Sequence, residues 1–435
     1  MDAIISYIIE FLIKGEKKQS LRSFIGYTAV PSEFHKYRIV ILPSSFFRED
    51  VYGTDQSLPI LPLKEIHGIP LLFGTPDIEW NNGTLIVGAD IIASSYFLLT
   101  RYEEIRKRNQ RDKHGRFPGK ESLPFKAGFI HRPIVDEYGG LLRQWLRDVG
   151  LPVPEPEQKI NHAWLTHDVD APFYCRTLRS VIREGVQKRN FKHAWKMYKA
   201  SLTEDPFFTI PWLIEQDISL QEKWGKGRCE PIFFFKTGGK SHADKPHYNI
   251  QSKDIQSIFS LCSRAGTHIG LHSSYDAGKN PANIKRELEK LRRYVPNFSP
   301  YNRHHYLSCR EPEDLDWLEK AGITDDFSMG YADIPGFRLG TCHPVRWINP
   351  INKRISNLTL HPLLIMECSL SDPAYMNLDH HAALTYCLGI INQVEKNNGE
   401  LVLLWHNDRV SLHKSNPTPW QRNLYQTLIE ELKTK

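Results

Sequence analysis

What this chain lacks narrows the field before any motif is read. Its seven cysteines include no Cys-x-x-Cys pair, so zinc-ribbon and thioredoxin-type arrangements are excluded. An odd cysteine count in a long chain is expected of a reducing, cytoplasmic setting, with the thiols serving as small core residues. No stretch approaches the roughly 18 to 20 consecutive apolar residues of a membrane span. There is no long block of one charge sign: 56 Lys and Arg are set against 50 Asp and Glu, for a net charge of +6, which makes no case for a nucleic-acid partner. An internal repeat and low-complexity tracts are also missing.

What is present suffices for a large core. Of 435 residues, 40% are apolar and 11% aromatic, which rules out wholesale disorder, and the length favours two domains over one core. The N-terminus carries Ile4, Ile5, Ile8, Ile9, Leu12 and Ile13 at helical spacing, followed by Lys14, Lys17 and Lys18. Basic residues after the apolar part reverse the order of a signal peptide. The expectation is an amphipathic helix docked on its own domain, with peripheral membrane contact through residues 3–13 as the alternative.

Residues 1–150 read as a mixed α+β unit. Asn82-Gly83 between Ile78-Glu79-Trp80 and Leu85-Ile86-Val87 predicts a hairpin, because both residues tolerate the positive φ of a type I′ turn. Asp90 opens a predicted helix with Ile92, Tyr96, Leu99 and Tyr102 on one side and a charged end at 101–108, and 109–122 reads as a loop. Pro152, Pro154 and Pro156 make 151–157 a linker. From 158 to 435 strands alternate with helices: apolar strands at 163–166, 232–236, 267–271, 364–368 and 401–405, and helices around Ile255 to Cys262, Ile284 to Leu291 and Leu315 to Ala321. Such alternation predicts parallel strands with crossover helices, most simply a β/α barrel.

In such a barrel the chemistry sits at the C-terminal ends of the strands. The strand at 163–166 runs into His167-Asp168-Val169-Asp170, that at 267–271 into His272, and that at 401–405 into His406-Asn407-Asp408. Asp168 and Asp170 are two apart, so on extended chain both point to one side. Two carboxylates that close are costly to ionise together unless a cation sits beside them, and a divalent metal would supply it, one carboxylate ligating and the other taking a proton.

THDVD (166–170), GLHSSYDA (270–277), NRHHYL (302–307) and LLWHND (403–408) together resemble, in order and rough spacing, the polysaccharide deacetylase family of metal-dependent carbohydrate esterases. The resemblance covers about residues 160–410, and the first 150 residues look like the domain that precedes this module in some bacterial surface-polysaccharide proteins. It implies an α/β fold with a distorted, incomplete barrel, removal of acetyl groups from a carbohydrate or polysaccharide precursor, and a divalent metal, with zinc first and cobalt or nickel as alternatives. Carried over by residue, it makes Asp168 the base, Asp170 and His272 metal ligands, Arg303 the arginine that holds the base, and His406 the general acid. Where the family has a second histidine four residues after the first, this chain has Asp276, and His304 and His305 follow Arg303. The third ligand is therefore His305 or Asp276. His305 is favoured because an imidazole replaces an imidazole without changing the charge of the site. His268 precedes the strand end and is expected to face the barrel wall or a helix. Trp347 and Trp405 are candidates for stacking on a sugar, Asp325-Asp326 for the cleft and Arg338 for orienting a carboxylate. Two other functions fit the same motifs: hydrolysis of a non-sugar amide, and a barrel without catalysis that binds glycans or assists assembly.

Overall fold

Asn82 and Gly83 take φ of 47° and 83°, as the predicted turn requires. The computed structural model describes residues 1–15, 18–176, 178–187, 189–295 and 297–435; Lys17, in the basic stretch after the first helix, lies outside them. The N-terminal unit has strands β1 Ile25–Tyr27, β2 Ile39–Ile41, β3 Lys64–Ile66, β4 Ile69–Leu71, β5 Gly74–Asn81 and β6 Thr84–Ala89. Four of them form a sheet in the order β1-β2-β6-β5, and β3 and β4 pair as a separate hairpin. Asp90 caps the helix Ile91–Leu99 by accepting from the Ala93 N–H. That helix does not continue into its charged end. Arg101 turns left-handed, φ 55°, because its buried guanidinium reaches Glu104 and the Cys309 carbonyl, and a second short helix, Tyr102–Arg106, restarts beyond it.

The first helix, Asp2–Ile13, packs on Ile134–Asp148 with Ile4, Ile8, Ile9, Leu12 and Ile13 buried. Its apolar face is spent on its own unit, so the alternative of membrane contact through residues 3–13 is corrected. Among the described residues no helix is long and apolar enough to cross a membrane.

The second part is built on β7 His162–Val169, β8 Cys229–Phe235, β9 His268–Ser273, β10 Tyr301–His304, β11 Asp325–Asp326, β12 Val345–Asn349, β13 Arg354–Leu360, β14 Ile365–Met366 and β15 Glu400–Leu404. They form one nine-stranded sheet, β12-β13-β11-β10-β9-β8-β7-β15-β14, parallel except for the β12–β13 pair. The expected strand at 364–368 is shorter than predicted, because Glu367 begins a helix, Glu367–Ser371. The sheet stays open between β12 and β14 yet curls strongly. Trp164 of β7 meets Tyr301 of β10 and Phe327 beyond β11, and His361, after β13, joins Asp325 of β11 to Glu400 of β15. This is a half-barrel, in keeping with the incomplete barrel that the resemblance implies.

The curl gives each strand an inner and an outer face with the strand period of two. Trp164, Ile232, Phe234, Val402 and Leu404 fill the interior, whereas Ala163, Leu165, Cys229, Phe233, Ile269, Leu401 and Trp405 belong to the outer layer under the helices. That outer layer is continuous with the buried side chains of residues 4–149, and one apolar cluster runs from Ile4 to Leu432. Glu104 of the N-terminal unit also pairs with Arg338 through two hydrogen bonds, so the carboxylate that Arg338 orients is one that does not line the pocket. The segment 151–157 forms neither helix nor strand.

Candidate metal centre and its pocket

Following the inward parity past the C-terminal strand ends gives the site. Trp164, Thr166 and Asp168 lead to Asp170 on β7, Gly270 leads to His272 on β9, Tyr301 and Arg303 lead to His305 on β10, and Val402 and Leu404 lead to His406 on β15. The intervening His167 faces outward. It bonds Asp217 and the Trp405 carbonyl, which makes it a core histidine.

Nε2 of His272 and Nε2 of His305 each lie 3.2 Å from Asp170 Oδ1. The ligating atoms of the three residues fall within 4.8 Å of one another. Their other ring nitrogens define the tautomers. His272 Nδ1 donates to the Arg303 carbonyl at 2.9 Å and His305 Nδ1 donates to Asp244 Oδ1 at 2.9 Å, so in each neutral imidazole the Nε2 lone pair faces Asp170. Asp170 Oδ1 and His272 Nε2 are buried and have no hydrogen-bond partner. Three electron-pair donors aimed at one point, two of them orphaned, fit a divalent cation, with Asp244 in the position of the carboxylate that orients a ligating histidine. Burial would raise the Asp170 pKa, but His305 and Lys236, whose Nζ is 3.5 Å away, hold it well below the usual carboxylate range. Burial works against charge on His305, and the Asp170 carboxylate outweighs it, so that pKa is raised.

Asp168 stands beside this group. Its Oδ2 is 3.5 Å from His272 Nε2, and its Oδ1 is 3.6 Å from Nη1 of the fully buried Arg303. Arg303 is held by Thr166 Oγ1 through Nη2 and by the Phe234 ring beneath it. On the far side, His406 points Nε2 at Asp168 Oδ2 and Asp170 Oδ2, 3.9 and 3.8 Å away, while its Nδ1 donates to Glu367 Oε1 at 2.6 Å. Burial opposes the charge on His406, but the Glu367 carboxylate overrides it and raises the pKa well above that of a free histidine.

The structure brings together Asp168, Asp170, His272, Arg303, His305 and His406. It does not bring in Asp276, whose Oδ2 accepts from the backbone N–H groups of Lys240 and Ser241. The competing ligand assignment is corrected on that ground. Trp347 and Trp405 are wholly buried and bond Asp316 and the Gln421 carbonyl, so neither is available to a sugar. Asp326 is buried on Asn302 and Ser328, Asp325 pairs with His361, and His304 donates its backbone N–H to Ser328. His268 lies at the opposite end of the barrel on Glu230 and Ser299. Six cysteines are buried, and Cys368, partly exposed, lines the pocket.

Glu367, Asp244, Lys236 and Arg116 escaped sequence reasoning. Glu367 falls inside the predicted strand 364–368, near its end, so the rule of polar residues at strand ends could have selected it. Asp244, at the end of the 3-10 helix His242–Asp244 after β8, carries no such signal. The pocket over the site, about 220 Å³, is also lined by Arg116 from the expected loop 109–122. Arg116 is fixed by Asp112, the Tyr306 carbonyl and the Tyr375 hydroxyl, so the N-terminal unit forms part of the wall.

Residues 3–150 match a family of unknown function, DUF7033. No curated protein matches the chain. Among solved structures, the chain is similar to a Mycobacterium smegmatis protein provisionally assigned as a polysaccharide deacetylase, at 14% identity and a TM-score of 0.40, over 65% of this chain and 87% of that one.

Proposed function

We propose that this protein is a metal-dependent hydrolase that removes acetyl groups, N-acetyl before O-acetyl, from a carbohydrate or polysaccharide precursor. The observation that carries the reading is the convergence of His272 Nε2 and His305 Nε2 on Asp170 Oδ1, flanked by the Asp168 carboxylate on one side and the His406 imidazole on the other. Asp170, His272 and His305 would hold the ion, which when bound supplies Lewis acidity toward a carbonyl oxygen and a water. The remaining chemistry belongs to the chain. Asp168 is close enough to accept a proton from a water in the pocket, and Arg303, 3.6 Å from its Oδ1, fixes its carboxylate. His406, kept protonated by Glu367, presents Nε2–H to a leaving nitrogen or oxygen. An amine leaves poorly unless protonated, so this acid matters most for an amide. Arg116 and Tyr306 also line the pocket.

The test is metal content measured alongside acetate release from N-acetylated sugars. Purified protein should carry about one divalent ion per chain. Asp168→Asn should keep the ion and lose at least roughly a hundredfold in rate, whereas Asp170→Ala should lose both. Protein that holds no ion and is not activated by zinc, cobalt or nickel would instead support a barrel that only binds glycans. Full activity in Asp168→Asn would rule out Asp168 as the base.

A further inference from the structure

The crossover from β7 to β8 leaves the sheet at the same rim as the site and forms two antiparallel helices, Leu178–Gln187 and Phe191–Lys199. The inner face of this hairpin rests on Tyr174, Cys175, Val181 and Ala194. Its outer face is apolar and uncovered: Leu178, Ile182 and Val186, one turn apart, are 58%, 60% and 62% exposed, and Phe191 and Trp195, also one turn apart, are 55% and 45% exposed. A soluble surface seldom leaves so many large apolar side chains together without a partner.

The charge around this face selects the partner. Residues 178–199 hold seven Lys and Arg and a single acid, Glu184. Glu184 is itself buried and accepts from the Tyr174 hydroxyl. Arg189, Lys192 and Lys196 are exposed beside the apolar side chains, and the Lys199 ammonium lies over the Trp195 ring at 5.3 Å. Aromatic and aliphatic residues framed by lysine and arginine suit the boundary of an anionic bilayer, with rings among the acyl chains and ammonium groups on phosphates and carboxylates. We propose that the 178–199 hairpin docks the protein on a membrane surface rich in anionic lipid. The hairpin is anchored on the segment that follows His406, since the Tyr174 ring lies 4.4 Å from that of His413 at a tilt of 53° and the Tyr174 N–H bonds Asp205. Docking would therefore bring the pocket rim close to the headgroups. The proposal does not depend on the hydrolase reading, because lipid binding is measured without turnover.

The experiment is co-sedimentation of the full chain with vesicles of phosphatidylcholine alone and of phosphatidylcholine with about a third phosphatidylserine. Binding is expected to the anionic vesicles and to be at least about tenfold weaker to the neutral ones, with a similar drop at about 0.5 M salt. The doubles Phe191→Ser with Trp195→Ser, and Ile182→Ser with Val186→Ser, should each lose binding about tenfold or more while keeping the wild-type melting temperature and metal content. Lys192→Glu with Lys196→Glu should abolish the preference for anionic vesicles. Failure of the wild type to sediment with anionic vesicles overturns the proposal, as does unchanged binding in both apolar doubles. A wild-type dimer that ignores vesicles and becomes monomeric in either apolar double would also overturn it, assigning the face to a second copy of the chain.

Discussion

Asp170 and Asp276 are both acidic residues just beyond strands of the same sheet, and only their neighbours separate them. Asp170 shares its oxygen with two imidazole nitrogens, whereas Asp276 is occupied by two backbone N–H groups. Removing His305 by His305→Ala should lower metal affinity by more than about a hundredfold, because it would delete one of the three proposed ligands. Asp244→Asn should cost roughly 10- to 100-fold, as loss of an orienting partner does, and Asp276→Ala should leave affinity nearly unchanged. Equilibrium dialysis with zinc gives the ranking, and a large effect of Asp276→Ala would return that residue to the site. Glu367 makes the second prediction at this scale. Its carboxylate stabilises the charged form of His406, so a reaction that needs protonated His406 persists until pH rises through that raised pKa. Glu367→Gln removes the anion and lowers the pKa, and the alkaline limb of the kcat/KM profile should move to lower pH. An unmoved limb would show that His406 is not the group it reports. Asp168 and Asp170 were legible in sequence because a period of two puts both on one face. Glu367 and Asp244 act through histidines 39 and 61 residues away along the chain, and such pairings exist only after folding.

At the scale of elements, the curl of the sheet is held at its N-terminal end by His361, which is 5% exposed and bonds Asp325 and Glu400 at 3.0 and 2.9 Å. Burial alone would lower its pKa, but the two carboxylates raise it from 6.5 to about 9. A histidine whose folded pKa is raised contributes stability in full below its unfolded value, and this is lost as pH rises through the folded one. Between about pH 6.5 and 9 the protein should therefore lose on the order of 3 kcal/mol from this group. His361→Gln, which does not titrate, should show a flatter dependence of the urea midpoint on pH over the same range. Equal slopes for the two proteins would mean that the tie does not carry this charge. The strands that make the tie were readable as short apolar runs. Their curl was not, because it arises from contacts such as Trp164 with Phe327 that link distant parts of the chain.

For the whole molecule, the alternation of apolar runs, the Asn82-Gly83 turn and the four motifs were enough to expect a parallel sheet with chemistry at its C-terminal ends. These follow from local rules: side-chain period, turn conformations and the direction of crossover connections. Two decisions were not local. The apolar stripe at the N-terminus and that of the 178–199 hairpin look alike as periodic patterns, yet the first is buried on a neighbouring helix and the second is open. Likewise, His305 and Asp276 were both acceptable ligands by residue type and position. In each case the sequence by itself determined what the side chains are able to do, and the tertiary structure decided which of them had a partner, because burial and coordination depend on segments that meet only when the sheet has curled.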